Sequence, residues 1–323
     1  MRARKEEFRE GGRVRKNVSI VGAGAVGTTL GMQLFEKGCT IVSIVSRSAK
    51  PARVFAKTVR CERVSTSVAN LSLDTELLVF SVPDDALLGV IRRCARNSPM
   101  RWRKIFVVHT SGAYSIDVLR PLEWKGAIIG SLHPIQSFPE TKSLRERVRS
   151  LEGIAFGVEG EGRGMRMVRA LARLLGGKAL AIPKGMKPLY HAACIFASNY
   201  VVTLLNAARE ASRAAGFGRR WREIMMPLFS TSVENALRTG PREALTGPIV
   251  RNDLITIELH LDALQKFAPQ LIPLYCVAGI ETARVVRQGG GLTSKQFRDL
   301  IALIRPYVGS HVETIRRLTK EKH

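Results

Sequence analysis

The chain is short of acid. Its 323 residues include 27 aspartates and glutamates against 51 lysines and arginines, for a formal net charge of +24. Such an excess suggests a polyanionic partner. Aromatic residues are scarce too, at 6%, and the basic residues are scattered rather than gathered into a stripe interleaved with rings. That pattern argues against nucleic acid and for a solvated basic surface, which would still draw anionic small molecules. No run of 18 apolar residues occurs, so no membrane span is expected. Arg13, Arg15 and Lys16 precede an apolar run over 18–30 and imitate a signal peptide. That run carries Gly22, Gly24, Gly27 and Gly31, which suit a nucleotide loop better, and a cytoplasmic protein is expected. The five cysteines are odd in number and widely spaced, with no CxxC pair. Neither a disulfide framework nor a metal site is expected.

What is present is a change of texture along the chain. Residues 1–16 are charged and without apolar periodicity, and read as a disordered basic arm. Short apolar runs over 18–21, 40–45, 77–82, 105–109, 127–132, 154–158 and 179–182 read as strands. The segments between them, clearest over 28–37, 86–94 and 165–175, have helical spacing. Beyond Pro183 no strand pattern follows. One long helix is predicted over 187–215, and others over 219–238, 251–267, 270–287 and 294–317. The expected class is α/β: an N-terminal Rossmann domain over 17–183 with a doubly wound parallel sheet, and a C-terminal all-helical domain over 184–323.

The first strand runs into Gly22-Ala23-Gly24-Ala25-Val26-Gly27 and then a helix. In a GxGxxG loop the first glycine makes the tight turn. The second lets backbone approach a diphosphate, and the third lets helix and strand pack closely. Gly22, Gly24, Ala25, Val26 and Gly27 are therefore candidate cofactor-binding residues. The second strand ends at Ser46-Arg47-Ser48, where an NAD-binding chain usually carries an acid for the ribose hydroxyl. Arginine and serine suit a 2′-phosphate instead, so NADP(H) is the expected cofactor.

Ligands of open α/β sheets bind beyond the carboxyl ends of the strands. Polar residues gather there: Ser81-Val82-Pro83, His109-Thr110-Ser111 and Ser131-Leu132-His133. Ser81, Val82, Pro83 and His109 are expected beside the cofactor, and Ser111 and His133 beside a substrate. Asp84 and Asp85 read as a helix start. In the helical part, His191 and Ser198 are seven residues apart, nearly eclipsed on a helix, with Asn199 about 80° round. Asp253, Thr256 and His260 share one face of a later helix, with Asp253 also readable as a cap. His191 or His260 would be the acid/base. Asn199, Ser111 and Thr256 would orient a carbonyl oxygen, and Asp253 a histidine.

Together the strings VGAGAVGTTL, FSVPDDAL, HTSGA, LHPIQSF, YHAACIFASNY and ALTGPIVRNDLITIELHL resemble a group of bacterial Rossmann-like proteins. These carry a C-terminal helical domain of unknown function. They are similar to pyrroline-5-carboxylate reductase, ketopantoate reductase and 6-phosphogluconate-type dehydrogenases. The resemblance implies nicotinamide binding and a helical domain that often mediates dimers, so a homodimer is expected. In the dehydrogenase relatives a lysine and an asparagine on the long first helix of the second domain do the polar work. Here that helix offers His191 and Asn199, while Lys187 precedes Pro188 and is expected outside the regular helix. The family usually has glycine where this chain has Asn252. The expected function is an NADP-dependent oxidoreductase moving hydride to or from a small carbonyl or imine in an interdomain cleft. The alternative is an NADP(H)-binding redox sensor or scaffold without turnover.

Overall fold

The computed structural model describes residues 16–320, with side chains through Tyr307. The basic arm expected over 1–16 thus lies, Lys16 apart, outside the described residues. Lys16 itself pairs with Glu76 at 2.9 Å.

In chain order the first elements are β1 (Asn17–Val21), α1 (Ala25–Glu36), β2 (Thr40–Val45), α2 (Ala49–Thr58), β3 (Val64–Ser65), β4 (Leu77–Phe80), α3 (Asp84–Asn97), β5 (Phe106–His109), α4 (Arg120–Glu123) and β6 (Ile128–Pro134). There follow α5 (Leu144–Arg149), β7 (Ala155–Gly160), α6 (Gly162–Leu174), β8 (Lys178–Ala181) and α7 (Lys187–Ala197). The rest is helical: α8 (Asn199–Ala214), α9 (Trp221–Thr239), α10 (Leu254–Phe267), α11 (Ile272–Gln288) and α12 (Ser294–Lys320).

Among the described residues the strands form one sheet in the order β3-β2-β1-β4-β5-β6-β7-β8. Its first six places are the doubly wound order, with the switch point between β1 and β4. The expected all-parallel sheet needs one correction, because β7 runs antiparallel to β6. The two-residue β3 escaped the sequence pattern because it is too short to show a period. The central strands read as unbroken apolar runs because both their faces are covered. One face packs on α1, α2 and α6 through Ile20, Leu34, Val108 and Phe156. The other packs on α3 and the segment around α4 through Leu78, Phe80, Val107 and Ile129. Asp84 and Asp85 occupy the first turn of α3, and Pro83 stands at its cap position.

Buried hydroxyls join the start of β1 to its neighbours. Thr75 donates to the Ser72 carbonyl. Ser19 must therefore donate to Thr75, and Ser43 to Ser19, each at 2.6 Å. Ser43 also accepts the Ser72 N–H, so the chain of donors closes on itself.

The chain divides into two compact units, Met1–Ser198 and Asn199–His323. The first extends past the texture change at Pro183 to take in α7. The single helix expected over 187–215 is two, broken at Ser198, whose backbone (φ −125°, ψ −74°) leaves the helical region. The second unit has its own core, in which Leu261, Cys276, Ala283 and Ile304 meet between α10, α11 and α12. The cysteines are free, and Cys39, Cys61, Cys94 and Cys276 are buried.

Helix α6 rides close over β6 at Gly164. A methyl group there would lie 2.2 Å from the Ile129 carbonyl oxygen, which is backbone and cannot swing aside. Gly→Ala in a free helix would gain about 1 kcal/mol. Here Gly164→Ala is expected to destabilise by about 1–3 kcal/mol through overpacking, read from the midpoint of urea unfolding.

Candidate active site

The carboxyl end of β1 is built for close approach. The backbone turns at Gly22 with φ +109°, a conformation that penalises side chains. A methyl group on Gly22 would lie 2.0 Å from the Ser81 carbonyl oxygen, and one on Gly27 would lie 2.0 Å from that of Gly22. Gly24 differs: nothing comes within 4 Å of its absent side chain. Two glycines thus hold the loop against β4, and the third leaves its backbone open to a ligand. Gly24 is also the N-cap of α1, with no side-chain cap bond and no acidic residue in the first turn. The free N–H groups and positive end of α1 are left for an anion.

A cavity of about 980 Å³ opens there. Gly22, Gly24, Ala25, Ser46, Arg47, Ser48, Ser81, Val82 and Pro83 line it, as expected from the sequence. Val26, Gly27 and His109 stand outside the lining. Arg47, Lys50 and Arg93 line the same cavity, and no acid stands at the end of β2. The loop and this cationic end fit a dinucleotide carrying an extra phosphate.

A second constellation lies over the carboxyl ends of β5 and β6 and the antiparallel β7 beside them. Register decides its composition. His109 pairs with Ser131, Ser131 with Glu159, and His133 with Gly157. Paired residues and their i+2 neighbours share a face, so these five positions look the same way. The intervening Val108, Leu132, Phe156 and Val158 enter the core on the opposite face. Helix α7 meets the polar face with Lys187, Tyr190 and His191, which are spaced i, i+3 and i+4.

Lys187 is fully buried, with Ser131 and Glu159 buried beside it. Its ammonium donates to Ser131 Oγ and lies 3.4 Å from Glu159 Oε2. The same carboxylate oxygen accepts the Ile116 N–H at 3.0 Å. Burial pushes the Lys187 pKa down to about 8, against the opposing pull of Glu159. His133 Nδ1 shares a hydrogen bond of 2.7 Å with the Tyr190 hydroxyl. Burial, then the fields of His191 and Lys187, bring the His133 pKa down to about 4. His109 is held well below the usual imidazole range by burial and by Lys187. Its Nδ1 accepts the Ser111 N–H, and Ser111 Oγ accepts the N–H groups of Ala113 and Tyr114. His191 stands edge-on to His133, with ring centroids 5.3 Å apart. Its buried Nδ1 has no hydrogen-bond partner among the described residues. Gly112 makes room for both rings: a methyl group there would lie 2.2 Å from His191 Nδ1 and 2.9 Å from His133 Nε2.

The structure therefore brings His133, His191, Ser111 and His109 into one neighbourhood. Asn199 starts α8, and the break at Ser198 removes the single-helix geometry that would set its angle to His191. In the second unit Asp253 caps α10, accepting the Thr256 N–H at 3.1 Å and its hydroxyl at 2.7 Å. Those bonds hold the Asp253 carboxyl below its usual range. His260 bonds Tyr275 on α11 at 2.9 Å. Asn252, beside the cap, has φ +52°. That left-handed conformation explains the family's usual glycine, and asparagine tolerates it.

Glu159, Tyr190 and Gly112 escape sequence reasoning, and Ser131 is placed at a strand end without a role. Lys187 corrects a specific inference. Pro188 does not exclude it from the helix: Lys187 is the first residue of α7 and Pro188 the second, where proline needs no N–H partner. A lysine just ahead of an N-terminal proline was the available signal.

Residues 5–134 match a Rossmann-like domain, and residues 154–282 match a domain of unknown function, DUF2520. The chain joins a Rossmann-like domain to a DUF2520 domain. The polar constellation draws on both matches, with β5 and β6 in the Rossmann-like domain and β7 and α7 in the DUF2520 domain. No curated protein matches the chain. Among solved structures, BF3122 of Bacteroides fragilis, a candidate NADP oxidoreductase, superposes with a TM-score of 0.69 at 23% identity, over 84% of this chain and 98% of its own. Protein TM1727 of Thermotoga maritima gives 0.62 at 25%, over 84% and 99%. An imine reductase of Myxococcus stipitatus in complex with NADP+ gives 0.59 at 14%, over 84% and 93%. They share the fold of this Rossmann-like and DUF2520 pair.

Lys187→Met is expected to cost about 3–5 kcal/mol, because it leaves the Glu159 carboxylate buried and uncompensated. Lys187→Met with Glu159→Gln should cost less than the sum of the single changes in a double-mutant cycle of urea unfolding. Acid should also weaken the fold. His133 and His109 bind protons more readily when unfolded, so their contribution is full above about pH 6.5. For His133 it is lost as pH falls toward about 4, and His133→Gln should flatten that part of the stability profile.

Proposed function

We propose that this protein is an NADP(H)-dependent oxidoreductase that moves hydride between the nicotinamide and a small carbonyl or imine carbon. The observation that carries the reading is the cavity over the Gly22–Gly27 loop. Gly24 is open to it, and Arg47 stands at the end of β2 in place of an acid. Gly22, Gly24 and Ala25 would hold the diphosphate on the α1 N-terminus, and Ser46, Arg47 and Ser48 the 2′-phosphate. When bound, NADP(H) would supply or accept the hydride. The imine reductase of similar fold, with its NADP+, supports the choice.

A proton must accompany the hydride. His191 is our assignment for the acid/base, because its buried Nδ1 is uncommitted, whereas His133 is bonded to Tyr190. His133 and Tyr190 would position the His191 ring through its edge contact. Ser111 would orient the substrate oxygen. His260 is the second candidate for the proton, with Thr256 and Asp253 ordering its helix. We further propose a homodimer through the helical unit. On α8 the apolar side chains of Tyr200, Val202 and Leu204 are exposed. Val202, with Leu228 and Leu237 on α9, is at least 66% exposed, an apolar surface of the kind that a second copy covers.

NADPH should bind more tightly than NADH. Arg47→Ala should weaken NADPH by roughly ten- to a hundred-fold while sparing NADH, as the loss of a charge-assisted contact implies. Turnover is checked by NADPH oxidation against a panel of carbonyls and imines. The acid/base assignment fails if wild type turns over but His191→Ala and His260→Ala keep the full rate. Tight NADPH binding without turnover on any substrate would favour the sensor or scaffold reading.

A further inference from the structure

The cavity has a wall that the glycine fingerprint does not describe. The chain between β6 and β7 contributes Glu140, Leu144 and Arg147 to its lining. Helix α5 is short but firmly started. Ser143 Oγ accepts the Glu146 N–H, and the Glu146 carboxylate accepts from the Ser143 N–H at 2.8 Å and hydroxyl at 2.6 Å. Val148 anchors the other side in the core. Arg147 is thereby held over the first turn of α1. Its Nη1 donates to the Lys142 carbonyl at 3.3 Å, and its Nη2 lies 3.5 Å from Thr28 Oγ1. Thr28 itself donates to the Gly24 carbonyl.

This position is electrostatically unfavourable as it stands. A guanidinium lies beside the positive end of a helix, and like signs repel there. Among the described residues no carboxylate is within ion-pair distance of Arg147. Glu146 is committed to its capping box, and Glu140 lines the cavity without pairing. The Arg147 Nε is buried and has no hydrogen-bond partner among the described residues. The first turn of α1 carries no acid either. Protein groups thus leave two cationic features facing one cavity uncompensated. A polyphosphate anion would complete both.

We infer that Arg147 is a diphosphate-binding residue, reaching the ligand from the β6–β7 connection beside the first turn of α1. The inference rests on the cofactor reading above and assigns Arg147 a different task from Arg47. Arg47 would read the phosphate that distinguishes NADPH from NADH, and Arg147 the diphosphate common to both.

The test is binding measured calorimetrically with NADPH, NADH and adenosine 2′-monophosphate, which lacks the diphosphate. Arg147→Ala is expected to weaken NADPH and NADH alike by roughly ten- to a hundred-fold, with adenosine 2′-monophosphate within about two-fold of wild type. Arg147→Lys should recover part of the loss, and it replaces the alanine variant if that fails to fold. Dinucleotide affinities within about two-fold of wild type in Arg147→Ala overturn the inference. So does an equal loss for adenosine 2′-monophosphate, which would place Arg147 on the 2′-phosphate. Wild type binding neither dinucleotide overturns the cofactor reading and this one with it, whereas intact wild-type binding with an indifferent Arg147 sinks this one alone.

Discussion

Backbone meets backbone where β1 ends, and the rest of the Rossmann-like domain is arranged around that contact. The absent side chains of Gly22 and Gly27 let the loop lie directly on the Ser81 carbonyl and on itself. That contact fixes where α1 begins, and so where its uncapped N–H groups point. It also sets β4 beside β1, making the crevice at the switch point of the sheet. A side chain at either position would separate three segments at once, because the atoms it meets belong to main chain.

The polar constellation under α7 answers a different physical problem. A buried ammonium is costly, and here a hydroxyl and a carboxylate meet it from adjacent strands. The carboxylate is in turn steadied by the Ile116 N–H. Positive charge at Lys187 then makes further protonation nearby unfavourable, which together with burial keeps His133 and His109 neutral. Neutral imidazoles can accept as well as donate a hydrogen bond. Burial, with the field of this cation added to it, thereby sets the chemical character of the neighbouring imidazoles.

Much of this was legible in the sequence. The strands, most helices, the glycine loop and Arg47 follow from local patterns whose physics is local: apolar periodicity, caps and a tight turn. Asp253 was rightly readable as a cap for the same reason. What escaped depended on register or on tertiary placement. Glu159 becomes significant only because an antiparallel pairing sets it opposite Ser131, and no sequence period announces that. By pattern alone Pro188 excludes Lys187 from the helix, whereas it marks the helix start. The long helix over 187–215 had continuous helical spacing, yet Ser198 breaks it. Asn252 looked like a departure, and its left-handed backbone shows it to be a tolerated one.

The reversal at β7 has an architectural consequence. A parallel strand after β6 would require a crossover, carrying the chain across a face of the sheet before it could return. Because β7 instead runs back along β6, the chain that joins them never leaves the edge where the strands of the nucleotide crevice end. Some twenty residues, α5 among them, are in effect moored at the mouth of the site. Such a segment can change in length and charge without re-threading the sheet, as surface loops on a rigid scaffold do. The Rossmann half supplies a mouth common to many proteins, and this one reversed strand gives the chain a lip of its own.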